Sequence, residues 1–403
     1  MLKIKFSIEN IYFLFFFLFL TMYSFNKIST LTSGIKIYYF FIPILYIVYF
    51  VRSKLIISSS IKILLLFMSL QFLSLINTFI YHPSVLENVL FNLIRETVII
   101  LLLIPLYSFY LKKEKLFNTL LLFIALEVAL SNLIYYIYFY DFAGRFQGMF
   151  GGSNEFAYMM VLLIYIIYYN FYKYPKLKLK FIWIIILLIL HAMVIVTLSR
   201  TAILGLIIFY IFSFPYFHTK FKYWQKVLIL IIMGLIIIYT YDFFSKTFEL
   251  LIDRFTNSEG SNSLGSRMWE ILAAINMIEE NPFSIILGNG TSITSSPIFL
   301  KYYSGLTGGL GTRVHNSYFA LIVENGIVSF SLFLFFIFHI LKKIYFLNDP
   351  FKYVILGFFI FTISFLGTIY LFYFLPFWFA LFLIVAHIKF LNKNNLKRKK
   401  YVK

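Results

Sequence analysis

Residues 179–198 read LKFIWIIILLILHAMVIVTL, and Lys180 is the only charged side chain among them. A run of this length and polarity matches the ~20-residue helix that crosses a bilayer. Similar runs recur along the chain, separated by polar or basic breaks. We therefore predict an all-α fold, a polytopic membrane helical bundle with about 12 transmembrane helices. The predicted spans are 9–26, 35–51, 61–81, 89–111, 116–140, 155–172, 179–198, 201–217, 226–244, 317–341, 352–369 and 372–390.

The composition agrees with this fold class. The 403 residues are 62% hydrophobic and only 13% charged, whereas a soluble domain is about half apolar and about a quarter charged. The chain has no cysteine, which excludes disulfides, thiol nucleophiles and cysteine-ligated metals. The apolar run at about residues 11–25 has no small-residue cleavage site, so we predict an uncleaved span there rather than a signal peptide.

The lysines predict the orientation. If the N-terminus is cytoplasmic and the spans alternate, 25 of the 35 basic residues fall on the inward side. This pattern is typical of the positive-inside rule and makes both termini cytoplasmic. We predict one membrane domain, residues 1–403, with a basic tail at 391–403 that contacts lipid headgroups. The net charge of +19 is thus a topology signal, and no nucleic acid partner is expected.

The arginines have the opposite bias. Six of the eight arginines, but only four of the 27 lysines, lie on the predicted outward side. The guanidinium fork binds phosphate or carboxylate through two parallel hydrogen bonds, so the group indicates an anionic ligand at the external face. Each arginine could instead pair with a nearby acid such as Asp253 or Glu270. The six are Arg95, Arg145, Arg200, Arg254, Arg267 and Arg313.

One long polar segment, Ser245 to Asn316, lies on the same predicted side and forms the large external loop. Ser266 can cap a helix from about Arg267 to Glu280, with Glu270 in its first turn. The helix is predicted to be amphipathic and to lie on the membrane or the bundle. Its apolar face comprises Met268, Leu272, Ile275 and Ile278. Asn281-Pro282 is predicted to end it.

His315 is the strongest candidate for moving a proton. It stands where the polar loop meets the next span, between Arg313 and Asn316, and histidine titrates near neutrality. No metal-binding motif, nucleophile elbow or phosphate-binding loop occurs, so neither a metal nor a cofactor is expected. Glu96 and Glu127 lie inside predicted spans, which leaves a proton or substrate path open.

The order of these motifs resembles the bacterial O-antigen polymerase/O-antigen ligase family over about residues 140–330. Two positions depart from the family's pattern: Gly151-Gly152-Ser153 precedes Asn154 where many members have a proline, and Ser329 stands where glycine is common. The matching elements are Arg145 to Asn154, Ser199-Arg200-Thr201-Ala202, Arg267-x-Trp269, Asn281-Pro282 with Gly288-x-Gly290, and His315-Asn316 with Gly326 after nine intervening residues.

The resemblance implies a metal-independent membrane glycosyltransferase with a GT-C-like fold in the bacterial inner (plasma) membrane. Its substrates would be polyprenyl-diphosphate-linked oligosaccharides, with a chain-length regulator as a candidate partner. The roles we then assign are diphosphate binding by Arg200, Arg267 and Arg145, and proton acceptance or diphosphate binding by His315. Substrate binding and orientation are assigned to Arg313, Asn316, Asn154 and Arg95.

Three functions follow from these features. A polymerase joins lipid-linked repeat units, and this function is favoured. A ligase transfers the glycan to the lipid A core and shares the same motifs. A lipid-linked oligosaccharide flippase would spread polar residues along a central cavity and would not need a long external loop. Because the arginines gather on one predicted face, an enzyme is favoured over a flippase.

Overall fold

A computed structural model of the protein describes residues 56–139, 146–148, 152–175, 180–220, 259–307, 314–372 and 374–401. Within these ranges the regular secondary structure is helical, which confirms the all-α prediction. The helices are α1 Ser59–Gln71, α2 Ser74–Tyr81, α3 Leu86–Phe139, α4 Ser153–Lys173, α5 Lys180–Val196, α6 Arg200–Lys220, α7 Glu259–Glu280, α8 Ser284–Leu287, α9 Pro297–Thr307, α10 Ser317–Tyr345, α11 Lys352–Phe365 and α12 Leu375–Tyr401. Short 3-10 turns occupy Pro83–Val85 and Ile293–Ser295.

Helices match the predicted spans wherever the structure describes them. Six segments in the described ranges are long and apolar enough to cross a membrane, and α5 and α11 are shorter apolar helices. The predicted spans 89–111 and 116–140 are joined in α3, whose backbone is non-helical only at Lys113, in the predicted basic break. The predicted spans 9–26, 35–51 and 226–244 lie outside the described residues.

The chain divides into two compact units. The described part of the first unit comprises residues 105–220, with the gaps given above, and residues 350–361. Its core surrounds α4, where Tyr165 stacks on Phe358 at a centroid distance of 4.1 Å. Gly357 of α11 lies so close to α6 that a Cβ would stand 2.4 Å from the carbonyl oxygen of Phe209. This close packing fixes α6 within the unit.

The second unit contains residues 56–104 and the described residues of 257–349 and 362–403. Its central feature is a break in α10 at Gly326, where φ is +77°. The segment Gly288–Ser296, here called the inserted turn, lies against this break. The amides of Asn289 and Gly290 donate to the carbonyls of Val323 and Glu324, at 2.9 and 2.8 Å. Carbonyls that the broken helix leaves without helical partners are therefore satisfied inside the protein.

Helix α2 holds the inserted turn from its other side. The Asn77 amide donates to the carbonyl of Gly288 at 2.9 Å, and the Thr78 hydroxyl donates to the carbonyl of Asn289 at 2.8 Å. Both side chains are buried. The turn is thus fixed between α2 and α10 by hydrogen bonds from buried side chains.

Helix α7 differs from its prediction at its beginning. It starts at Glu259 rather than near Arg267, so Glu270 lies in mid-helix and not in the first turn. The buried face is also different: Glu270, Ala273, Ala274 and Met277 are buried at helical spacing, whereas Met268 and Leu272 of the predicted apolar face are exposed. The small alanines let α7 approach its neighbours closely. The helix ends at Glu280, as Asn281-Pro282 predicts.

Candidate functional site

His315 and Glu270 form a close pair in the second unit. The Nδ1 atom of His315 lies 2.7 Å from Oε1 of Glu270, and the His315 backbone amide donates to Oε2 at 2.9 Å. The histidine side chain is 40% exposed, whereas that of Glu270 is 3% exposed. A buried carboxylate therefore holds both the backbone and the ring of a partly accessible histidine.

This geometry determines what each ring nitrogen can do. An ionised carboxylate only accepts hydrogen bonds, so Nδ1 of His315 carries the proton. In the neutral ring Nε2 is then the acceptor, and it has no hydrogen-bond partner among the residues that the structure describes. The site therefore presents an oriented proton acceptor at the loop end of α10.

Hydrogen bonds at the start of α10 fix the position of His315, which lies just before this helix. Asn316 caps this helix, because its side-chain oxygen accepts from the amide of Phe319 at 3.1 Å. The hydroxyl of Ser317 donates to the carbonyl of Ile369 at 2.5 Å, and its amide donates to the carbonyl of Leu366 at 2.7 Å. These bonds anchor the start of α10, so the histidine lies on a rigid helix end. Asn316, predicted to orient substrate, has this capping role in the structure.

A second group of predicted residues is assembled in the first unit. The Ser199 hydroxyl donates to Oδ1 of Asn154 at 2.7 Å and accepts from the amide of Ala202 at 3.2 Å. Arg200 is the first residue of α6 and is partly exposed. A cation at a helix N-terminus opposes the helix dipole, whereas an anion there is favoured. Arg200 and the start of α6 thus form a positive local field beside Asn154.

The four remaining candidate arginines differ in whether the structure describes their side chains. Arg145 and Arg313 lie outside the described residues. Arg267 lies within α7, but its side chain is also outside them. Arg95 is described on α3, where its charge acts on the adjacent Glu96. Arg95, which is predicted to lie on the outward side, is thus near an acid of the protein, as the alternative of pairing with a nearby acid expects.

A buried polar cluster lies next to the inserted turn, and sequence reasoning singled out only one of its members, Glu96. Glu96 and Glu324 are both fully buried, and the hydroxyl of Tyr370 lies between them. It is 2.6 Å from Oε2 of Glu324 and 3.3 Å from Oε1 of Glu96. Glu324 falls inside the predicted span 317–341, so an ionisable residue in an apolar run was the available signal.

Counting hydrogens shows which acid of this cluster accepts from Tyr370. The carboxylate of Glu324 accepts from the Thr294 hydroxyl at 2.5 Å, from the amides of Ser292 and Thr294, and from Tyr370. Tyrosine has a single hydroxyl hydrogen, and the shorter contact takes it to Glu324. The contact of 3.3 Å is then a hydrogen bond only if Glu96 is protonated and donates to Tyr370. Glu324 is therefore the acid that accepts the Tyr370 hydrogen, and Glu96 can donate to Tyr370 only in its protonated form.

The fold and site define a class, a polytopic helical membrane protein with a carboxylate-held histidine at the end of a spanning helix. Residues 183–334 match a family model described as O-Antigen ligase. The match supports the O-antigen ligase/polymerase family for this chain, whose members are membrane glycosyltransferase-like enzymes. The matched range includes Arg200, Glu270, His315 and Gly326, but not Asn154. No curated protein matches the chain.

Proposed function

We propose that the protein is a polymerase of lipid-linked oligosaccharide repeat units for O antigen, capsule or exopolysaccharide. It would transfer the growing glycan from polyprenyl diphosphate to a new lipid-linked unit at the external membrane face. The observation that carries the proposal is the Glu270–His315 pair, because glycan transfer requires a group that accepts the proton of the acceptor hydroxyl. The family match supports the same chemistry.

In the proposed reaction Nε2 of His315 takes the proton of the acceptor hydroxyl. The acceptor oxygen bonds to the anomeric carbon of the donor sugar, and the bond from that carbon to the diphosphate oxygen breaks. Polyprenyl diphosphate leaves with the bonding electron pair. Glu270 stabilises the imidazolium that forms, since its carboxylate lies 2.7 Å from Nδ1.

The leaving diphosphate requires stabilisation of its developing negative charge. We assign this role to Arg200 with the N-terminus of α6, and to Arg267 and Arg145. Helix N-termini bind phosphate through amide groups that have no partner within the helix. Asn154 holds Ser199 at 2.7 Å and thereby fixes the start of α6. Arg313 remains a proposed substrate-binding residue.

A ligase is the second candidate, because the matching family model is described as O-Antigen ligase. The donor and the chemistry at the anomeric carbon would be the same, and only the acceptor would change to the lipid A core. His315 and Arg200 would keep their proposed roles. The two functions therefore differ in the fate of the polymer rather than in the site.

Deletion of the gene separates these functions by the glycan that remains. Loss of a polymerase leaves single repeat units attached at the surface, whereas loss of a ligase leaves polymer on the carrier lipid. Loss of a flippase strands repeat units on the cytoplasmic leaflet. Complementation with Arg200→Lys then tests the site, since lysine keeps the charge but loses the two-pronged geometry. We expect a decrease of about 10²–10³ in polymerisation rate; wild-type polymer lengths would contradict the assignment of Arg200.

A further inference from the structure

A cluster of basic side chains lies at the end of α10 that is opposite to His315. The Nζ atom of Lys343 donates to the hydroxyls of Ser59 and Ser60, at 2.8 and 2.9 Å. The His339 ring, one turn earlier on α10, lies 3.1 Å from the Ser59 hydroxyl through Nε2. The cluster therefore joins the end of α10 to the first turn of α1.

The charges in this cluster are of one sign. Lys389 of α12 lies close enough to Lys343 to repel it, and Lys342 and Lys343 act in the same way on His339. In the part of the chain that the structure describes, none of these three lysines forms an ion pair with a carboxylate. The cluster thus lacks a compensating anion from the described protein.

The first turn of α1 adds to the positive field. Its N-terminus carries the positive end of a helix dipole, and its first amides have no partner within the helix. Ser58 caps only one of them, by accepting from the amide of Ile61 at 3.3 Å. A lysine beside a helix N-terminus is electrostatically unfavourable, whereas a phosphate there is favoured.

The position of Lys343 along α10 indicates which anions surround it. Ser317–Tyr345 is long and apolar enough to cross a membrane, with the break at Gly326 inside it, and His315 and Lys343 lie near its two ends. If the loop end of α10 lies at one membrane face, Lys343 lies at headgroup level on the other face. Phospholipid phosphates are the anions concentrated at that depth.

We propose that Lys343, Lys389 and the start of α1 form a binding site for the phosphate group of an anionic phospholipid in the leaflet opposite to His315. Two hydrogens of the Lys343 ammonium are directed to Ser59 and Ser60, and the third is available for a phosphate oxygen. Lys389 is exposed and can approach the same phosphate. The site does not depend on the glycosyltransferase function proposed above.

Native mass spectrometry of the full-length protein, released from nanodiscs of phosphatidylcholine with one fifth phosphatidylglycerol, tests the site. We expect one retained phosphatidylglycerol, and about a 10-fold weaker retention in Lys343→Met and in Lys389→Met. Lys389→Met removes an exposed side chain, so it tests the site even if Lys343→Met does not fold. Lys115→Met is the matched control, because Lys115 is exposed on α3 and is predicted to lie on the same membrane side.

Two outcomes would overturn the proposal. If Lys115→Met and Lys389→Met reduced the retention of phosphatidylglycerol equally, the lipid would be held only by the diffuse positive charge of this face. Displacement of the lipid by inorganic phosphate at millimolar concentration would mean that the site binds free phosphate rather than a lipid. Retention of the lipid under inorganic phosphate, with selective loss in the Lys343 and Lys389 variants, supports it.

Discussion

Gly288 and Gly326 are in close backbone contact where the inserted turn meets the break in α10. A Cβ on Gly288 would stand 2.2 Å from the carbonyl oxygen of Glu324, and one on Gly326 would stand 2.1 Å from that of Ile286. Both residues have positive φ, +79° and +77°. Neither position accepts a side chain, so the two glycines allow the turn to enter the helix break.

Alanine at either glycine should therefore destabilise the protein. The left-handed backbone alone costs about 1–3 kcal/mol, and the contact with a backbone oxygen adds to it. We expect Gly326→Ala to lower the unfolding temperature in detergent by several degrees. Gly367→Ala is the control, since its Cβ would meet no atom closer than 3.4 Å. Equal melting of the two variants would contradict the role assigned to Gly326.

Glu270→Gln should reduce glycan transfer while the fold remains. The amide nitrogen or oxygen of glutamine can still contact His315, but the negative charge beside Nδ1 is lost. We expect a decrease of at least about 10-fold in polymer formation by purified protein, and about 10²–10⁴-fold for His315→Ala. The measurement is the rate of lipid-linked polymer formation, with thermal unfolding followed in parallel.

Glu279→Gln is the matched control for this prediction, because Glu279 is an exposed carboxylate on the same helix. It should leave the transfer rate unchanged. If Glu270→Gln and Glu279→Gln have the same rate as the wild-type protein, Glu270 does not position His315 for the reaction.

The sequence was sufficient for the helices but not for the contacts that join them. The apolar runs predicted every described span, and the junction between loop and span indicated His315. The predicted start of α7 was wrong because residues 259–266 include two glycines, three serines and an asparagine, which are poor helix formers but are helical in the structure. Glu270 lies 45 residues before His315, so no local pattern predicts that pair.

The buried acids Glu96 and Glu324 should respond differently to the same substitution. Four hydrogen-bond donors converge on the Glu324 carboxylate, so Glu324→Gln turns an amide toward donors and should cost about 1.5–3 kcal/mol. Glu96 would donate to Tyr370 in its protonated form, and a glutamine amide can replace that donor. Thermal unfolding of the two variants measures the difference. A larger loss in Glu96→Gln than in Glu324→Gln would reverse the assignment of the proton.

His82 should make stability depend on pH. It lies between two candidate spans, and burial lowers the pKa of its imidazole below the ordinary value of 6.5. Asn289 and the charge of Glu280 oppose the shift only in part. The unfolded chain therefore binds a proton at higher pH than the folded protein. The contribution of His82 is fully present above about pH 6.5 and is lost as the pH falls below that value.

His82→Gln removes the titrating group from this position, so the unfolding temperature of the variant should depend less on pH. The measurement is the unfolding temperature in detergent at pH 7.5 and pH 5.5, for the wild-type protein and the variant. We expect the wild-type protein to lose more than the variant on acidification, because only its His82 must release a proton to fold. Identical losses in the two proteins would show that His82 titrates alike in the folded and unfolded states. The inserted turn would then not shield this ring from water, although Asn289 of that turn lies near it.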